Sequence, residues 1–523
     1  GGLASMRSFV AIVAACGASA YQPLPQPSSR PVPTTARHTA VTASAAPDST
    51  ISTSSKTGIG YWNEKVRKLD GWFEGAAASA AAPSSELLTQ SREAAAAALP
   101  TISFPGRKDE PFRRCDLSSL QAAQIVPARG CEVAKASAAL SASLEEDVTV
   151  GMRLVLVDGV VSSELSDLSA LPLGITASSV ADASGAAREG ALEALQGALP
   201  ESDATRNTAL GIYGFAALNQ ACLVDVATVH VGAGVVVEQP LHVVMLSTGD
   251  DGDEAKLAAS HPNLLVSLGE GASLKLAQQY WACDANAPYF CNGVTRVQVG
   301  AGARLEHSYV QEQGPSATHV DSVLVEIDAD AEYHSTMLMS GGRIARVNHR
   351  VHLNGPKAHS NLRAFSMASE SQLCDVHSRV VHVSPECTSQ QEQRNAVAGR
   401  SRVVWKGAVV VPRGSDGTSA QQLCRTLLLS DDARIDVSPT LEIDTDDVEC
   451  THGATISDLD DEMVFYLQAR GLSRPDARAL LLSGWARDAL AGVASENVKV
   501  RATARAAALS PDKEVRRTSL SSI

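Results

Sequence analysis

Aromatic residues are scarce: Phe, Trp and Tyr make up 4% of the 523 residues, against 44% hydrophobic overall. That balance excludes a core organised around a few large rings and favours many thin layers of Val, Leu and Ala, as a repeating fold would have. Positive charge is also short. With 44 Lys and Arg against 58 Asp and Glu, the formal net charge of −14 argues against the basic stripe that a nucleic-acid backbone demands. The ten cysteines include no C-x-x-C pair and no Cys/His cluster at zinc-finger spacing, so a structural zinc, a thioredoxin-like redox pair and a disulfide framework are not indicated. No G-x-x-x-x-G-K-S/T motif occurs, so ATP hydrolysis is not expected of the chain itself.

The N-terminus reads as an address. After Met6 and Arg7 an apolar run from Ser8 to Cys16 ends in Gly17-Ala18-Ser19-Ala20 before Tyr21, a signal-peptide pattern too short to anchor in a bilayer. From Tyr21 to Ala46 the chain is rich in Ser, Thr, Pro and Ala, carries Arg30 and Arg37, and has no Asp or Glu before Asp48, as transit peptides do. Signal plus transit peptide resembles the bipartite presequence of algae with secondary plastids and implies import into the plastid stroma. Met6 is the expected start. A secreted protein with a disordered stalk is the alternative.

From about Asn207 a local pattern returns: alternating apolar residues, a Gly/Asp/Ser corner, a small residue, then new alternation. Its clear instances are Val231–Val235, Leu268–Ala272, Val299–Ala303, Ile327–Ala331 and Leu429–Ala433, with Leu353–Ala358 weaker. Stretches such as Thr295–Val299 and Val323–Ile327 read as strands with one buried face. Corners recurring at about thirty residues suit one coil of a parallel β-solenoid, whose interior should be ladders of similar aliphatic side chains. Its open ends would expose unpaired backbone, so partners are expected.

Residues 56–145 read as an N-terminal helical region on patterns such as Ser85-Glu86-Leu87-Leu88 and Ser91-Arg92-Glu93-Ala94, although Ala76–Ala82 would also suit a linker. Near the C-terminus, Asp458 is placed to cap a helix carrying Leu459, Met463, Val464 and Leu467 that stops at Gly471, and Ser473 to cap a second with Pro475 in its first turn. The apolar residues of this hairpin are read as core, with a partner-binding groove as the alternative.

Between Leu427 and Gly484 the sequence becomes specific. Leu427–Asp436, Pro439, Leu441-Glu442-Ile443, Cys450-Thr451-His452-Gly453-Ala454-Thr455 and Phe465–Gly471 resemble the C-terminal signature of the SufB/SufD family, which assembles iron–sulfur clusters. Phe215–Asn219, Val235–His242 and Arg107–Arg113 agree more weakly, the family's usual Trp being Phe112 here. Gly453 after His452 favours the SufD branch. The resemblance implies a right-handed parallel β-helix flanked by N- and C-terminal helical segments, and a non-catalytic scaffold role. It implies a heterodimer with a SufB-like subunit through the end of the β-helix and a SufC-like ATPase on the C-terminal helical domain. It further implies a transient iron–sulfur cluster on the complex, with no cofactor expected on the isolated chain and neither nucleic acid nor a membrane anchor involved.

Cys450 and His452 correspond to family positions at that interface. Thiolate and imidazole both ligate iron, and residues i and i+2 of a strand face the same side. Cys424 stands where SufD proteins commonly carry Asn and SufB proteins a functional Cys, so it is either a neutral exchange or an additional thiol. Asp446, Asp447 and Glu449 are near enough in sequence to assist iron entry, or are simply a solvated face.

The expected organisation is therefore 1–20 signal peptide, 21–55 transit peptide, 56–145 helical region, 146–206 connection, 207–440 β-helix, 441–495 C-terminal helical domain and 496–523 flexible tail. A β-helix polysaccharide lyase or hydrolase is the competing function.

Overall fold

The computed structural model describes residues 70–78, 80–128, 133–144, 151–196, 211–249 and 256–509. The expected signal and transit segments lie outside them, as do residues 510–523 of the expected tail. Among the described residues no helix is long and apolar enough to cross a membrane.

Among the described residues, six α-helices precede or interrupt the early strands: α1 (Trp72–Ala77), α2 (Thr89–Ala98), α3 (Ser118–Ala122), α4 (Val133–Leu144), α5 (Gly185–Gln196) and α6 (Tyr213–Ala221). The first strands are β1 (Gln124–Pro127), β2 (Arg153–Val157), β3 (Val160–Val161), β4 (Ile175–Ser179), β5 (Ala227–Val231), β6 (Val236–Ser247), β7 (Lys256–Ser260) and β8 (Asn263–Leu268). Next come β9 (Ser273–Ala282), β10 (Tyr289–Val299), β11 (Arg304–Gln311), β12 (Thr318–Ile327), β13 (Glu332–Met339), β14 (Ile344–Leu353) and β15 (His359–Ala368). The last are β16 (Leu373–His382), β17 (Thr388–Val397), β18 (Arg402–Val411), β19 (Thr418–Leu428), β20 (Arg434–Ile443) and β21 (Val448–Ser457), followed by α7 (Asp461–Ala469), α8 (Arg474–Ala489) and α9 (Glu496–Ala508).

Strands alternate between two sheets. One runs β20-β18-β16-β14-β12-β10-β8-β5-β4 and the other β21-β19-β17-β15-β13-β11-β9-β6-β2-β3. Each strand from β8 to β19 pairs in parallel with the strand two positions on, without register shifts. This is the expected parallel β-solenoid, one strand per sheet in every coil. It continues to Ser457, beyond the expected limit at 440, because β21 keeps the period-two pattern after the last clear corner.

The corners explain the repeat. Where the chain passes from the even-numbered to the odd-numbered sheet, a residue with positive φ recurs: Gly271 (65°), Gly302 (64°), Asp330 (55°), Lys357 (60°) and Glu386 (58°). A small buried residue follows each, namely Ala272, Ala303, Ala331, Ala358 and Cys387. Leu429–Ala433 lies at the opposite corner, between β19 and β20, so the five sequence motifs mix two edges of the solenoid. At that second edge Glu370 (φ 54°) holds the place that Gly399 (φ 65°) fills one coil later, with Arg400 N–H bonded to the Glu370 carbonyl at 2.6 Å. A left-handed non-glycine residue costs about 1–2 kcal/mol, partly offset by the freedom glycine adds to the unfolded chain. Glu370→Gly is therefore expected to stabilise the protein by about 0.5–1 kcal/mol in urea titrations, and a loss of stability would contradict the assigned corner geometry.

The interior departs from the expected aliphatic ladders. Columns such as Val297, Val325, Val351, Val380 and Val409 do stack in register, but between β9 and β14 the core is polar. The Tyr309 hydroxyl donates to Asp321 at 2.7 Å and lies 2.8 Å from His319 Nε2. His307 joins the Tyr333 hydroxyl at 2.9 Å to Gln278 Oε1 at 3.0 Å, and Tyr333 reaches His349 at 3.1 Å. Burial drives the His307 imidazole down to about 4 and those of His319 and His349 to about 3. It also raises the carboxyl of Asp321. Buried networks of this kind favour one arrangement of the core, here with His319 Nδ1 left without a partner among the described residues.

The two outer faces are covered by opposite ends of the chain. Phe73, Phe104, Phe112 and Phe215 pack on Phe290, Val320 and Ile344 of the even sheet. Within this cover, Arg346 is fully buried with its guanidinium 4.1 Å above the Phe112 ring, donating to the Pro111 carbonyl at 2.7 Å and to Asp375 at 2.6 Å. Burial would raise the Asp375 carboxyl, but His377 and Arg346 beside it hold it at about 2. Phe112 thus has a defined task. The same segment reaches further strands through Glu110 to Lys406 (2.6 Å) and Arg114 to Asp436 (3.3 Å).

On the odd sheet, Val310, Leu338, Phe365 and Leu427 meet Leu482, Ala486, Leu490, Val498, Ala502 and Ala506. The last three belong to α9, capped by Ser495, whose side chain accepts from Val498 N–H. Residues 496–508 are therefore a docked helix and not the start of a flexible tail. Their small-residue stripe at intervals of four was hidden by the polar average of the segment.

Candidate functional site

The solenoid ends in two strands with one neighbour each. β20 pairs only with β18, and β21 only with β19, among the described residues. Their outer edges leave alternate backbone groups without ladder partners, a template for another strand. In β20, Arg434 N–H bonds the Ser401 carbonyl and, just after the strand, Asp444 N–H bonds that of Val411, so even-numbered residues face β18 and odd-numbered ones the open edge. Pro439 is odd-numbered and removes one open-edge donor, a usual place for proline in a sheet.

Cys450 and His452 sit on β21 two residues apart, on one face, their Cα atoms about 7 Å apart. They lie over Ala420 and Gln422 of β19. Cys450 is half-buried against Val409, Val411, Ala420, Leu441 and Ile443, while His452 is exposed. Burial pushes the Cys450 thiol up, and a hydrogen bond with the backbone of Ala420 partly opposes this. The thiol must then lose its proton to bind a metal. Beneath His452 the Gln422 amide is buried, and neither its oxygen nor its nitrogen has a hydrogen-bond partner among the described residues. A buried orphan amide is costly, and this one lies directly beside His452 in the strand register. Nothing local in the sequence marks Gln422, whose position opposite His452 follows only from the register of β19 with β21.

Cys424 lies on the same inward face but one coil deeper, paired with Ala454. Its thiol is raised to about 11 by burial, with Asn395 Nδ2 at 3.5 Å and Thr426 Oγ1 at 3.9 Å. Four residues along and one strand across put its Cα about 14 Å from that of Cys450, too far for both to bind one ion. Asp446, Asp447 and Glu449 are exposed at the last corner. No group of three or more His, Cys, Asp or Glu among the described residues is disposed to hold a metal. Cys450 and His452 are two side chains of metal-ligating type, whereas an iron–sulfur cluster is held by about four.

Past β21 the chain turns into α7. Asp460, not Asp458, is the cap, accepting from Glu462 N–H at 2.8 Å, and Asp458 instead takes Arg478 of α8 at 3.0 Å. The reading of this hairpin as core is corrected for α7. Only Val464 is buried, while Met463, Phe465 and Tyr466 are 57%, 71% and 58% exposed. With Leu467 and Leu481 they line an open groove rimmed by Asp460, Asp461 and Glu462. Large apolar side chains exposed together on one element mark an interaction surface.

Two family models match the chain: "SufBD protein N-terminal region" over residues 64–243 and "SUF system FeS cluster assembly, SufBD core domain" over residues 248–485. Among characterised proteins, the chain is 31% identical over 419 residues to protein ABCI7, chloroplastic, of Arabidopsis thaliana, spanning 78% of this chain and 84% of the relative. It is 30% identical over 411 residues to an iron–sulfur cluster assembly SufBD family protein of Synechocystis, spanning 77% and 87%. To the iron–sulfur cluster assembly protein SufD of Escherichia coli it is 28% identical over 404 residues, spanning 77% and 88%.

Proposed function

The chain belongs to the SufB/SufD family of iron–sulfur cluster assembly proteins, and from that premise we propose that it is the SufD-type scaffold subunit of a plastid complex with SufB-like and SufC-like partners. The family match sets aside the polysaccharide lyase or hydrolase. Plastid residence is supported by likeness to a chloroplastic relative and by the presequence pattern.

The observation that carries the partner assignment is the open end of the solenoid. An unpaired β20/β21 edge beside a two-ligand half-site suits a second β-helix that covers the edge and supplies the missing ligands. Cys450 and His452 are the proposed donors to the nascent cluster, which is cargo of the complex. Cys424 would reach it only if the terminal coil opened. The SufC-like ATPase would dock on Met463, Phe465 and Tyr466. Because Asp458 links the end of β21 to α8 through Arg478, movement of the hairpin on ATP binding would pull on the strand that carries both ligands. That is a route from ATP to opening of the interface.

Co-expression with SufB-like and SufC-like subunits under anaerobic conditions tests the site. His452→Ala and Cys450→Ser are expected to leave the complex assembled and to weaken iron binding by more than about tenfold, since loss even of groups that merely orient ligands has that effect. Unchanged iron and sulfide in both variants would refute the site.

A further inference from the structure

The outer face of the even sheet carries one column in register across six strands: Thr228, Leu265, Arg296, Leu324, Arg350 and Arg379. Its three arginines are compensated unequally. Arg379 forks onto Glu442 at 3.2 and 3.1 Å. Arg350 has Glu326 at 3.7 Å, a carboxylate also held by His352 at 3.2 Å and Asn354 at 2.7 Å. Arg296 meets no carboxylate among the ion pairs of the described residues. Its Nη2 donates to the neutral Gln220 amide at 3.1 Å, and its Nη1 is closed off from solvent with no partner. Burial, and to a lesser degree the charge of Arg350, push the Arg296 guanidinium down to about 10, still cationic at neutral pH.

Both Arg296 and Arg350 line a cavity of about 170 Å³ between the sheet and α5, which contributes only Ala187, Gly190, Ala191 and Ala194. Among the described residues, Thr228, His230, Ser267 and Gln298 complete its polar side, with Glu326 the one carboxylate. Small residues on the helix leave room beside the guanidiniums where longer side chains would fill it. A buried cation lacking a counter-charge is costly and is relieved by an anion. Two arginines at one cavity match the oxygens of a phosphate group better than a lysine pair would. The volume is below the range of drug-sized ligands, so the guest is small.

We propose that this cavity binds a small phosphate-bearing ligand, gripped by Arg296 with Arg350 assisting. The site is remote in sequence and strand order from Cys450 and His452, and its test needs neither partner nor iron. The full chain is titrated calorimetrically with inorganic phosphate, with sodium chloride adjusted to constant ionic strength, and in parallel with acetate. Saturable binding of one phosphate per chain is expected, with a phosphate-dependent rise in melting temperature and no comparable response to acetate. Arg296→Gln should weaken phosphate at least tenfold, Arg350→Gln less, and Arg296→Lys, which keeps the charge without the fork, should fall between wild type and Arg296→Gln. Circular dichroism identifies any variant that fails to fold, in which case the remaining two decide. Absence of saturable binding, equal affinity for acetate, or wild-type affinity in the folded Arg296 variants would overturn the proposal.

Discussion

Replacing Phe465 by Asp is expected to weaken association with the SufC-like ATPase by at least a hundredfold while leaving the chain folded. The ring is 71% exposed, so its removal withdraws little from the chain's own core. At an interface, a large aromatic anchor in a desolvated pocket contributes about 2–4 kcal/mol, and a buried unpaired carboxylate adds a further cost. Tyr466→Asp should behave similarly. Val464→Asp, which buries a charge in α7, should instead lower thermal stability. Pull-down of the ATPase with purified variants separates the cases. Retention of the partner by the double variant Phe465→Asp/Tyr466→Asp would remove α7 as the docking surface.

Acid is expected to unfold this protein between about pH 6 and pH 4. His261, His307 and His382 are held at about 4 and His319 and His349 at about 3, each chiefly by burial. All five folded-state values are depressed below the unfolded value of about 6.5. The stability they confer is present above that value and is lost as pH falls towards the folded values, because the unfolded chain takes up protons first. Each group costs about 2 kcal/mol on going from pH 7 to pH 5, so the five together reach about 10 kcal/mol, comparable with the stability of a whole domain. Asp321, raised by burial, works in the opposite direction but is a single group. Asp375, held at about 2, adds a loss below about pH 4. Urea titrations at pH 7.5, 6 and 5 measure the slope. A midpoint independent of pH over that range would mean that the interior histidines are not shielded as described.

Period-two strands, corners with Gly or Asp, and the Leu427–Gly484 signature were legible because each is local: a corner needs positive φ within a few residues, and alternation is set by the strand itself. The polar interior was not. Which side chains meet inside a solenoid depends on register between coils about thirty residues apart. Nothing near His307 in the sequence announces that Tyr333 and Gln278 will be its partners. The same holds for Gln422, whose place beneath His452 follows from pairing of β19 with β21. Cys450 and His452 were legible as one face of a strand, and the depth of Cys424 was not. At α7 the apolar stripe was visible, but not whether the chain's own core or another protein would cover it. In α9 the polar average concealed Val498, Ala502 and Ala506, which anchor the helix.

The ion pair between Glu110 and Lys406 spans 296 residues, and it sets a timetable for biosynthesis. At elongation rates of about 5–20 residues per second, Glu110 is made roughly 15–60 s before Lys406. Arg114 waits slightly longer for Asp436. Until Phe290, Val320 and Ile344 have been made, Phe104 and Phe112 have no sheet to cover, so the nascent chain carries an unsheltered aromatic segment from early in its synthesis, a natural point of engagement for a chaperone. The segment from Glu110 to Arg114, made early, is thus among the last to be fastened.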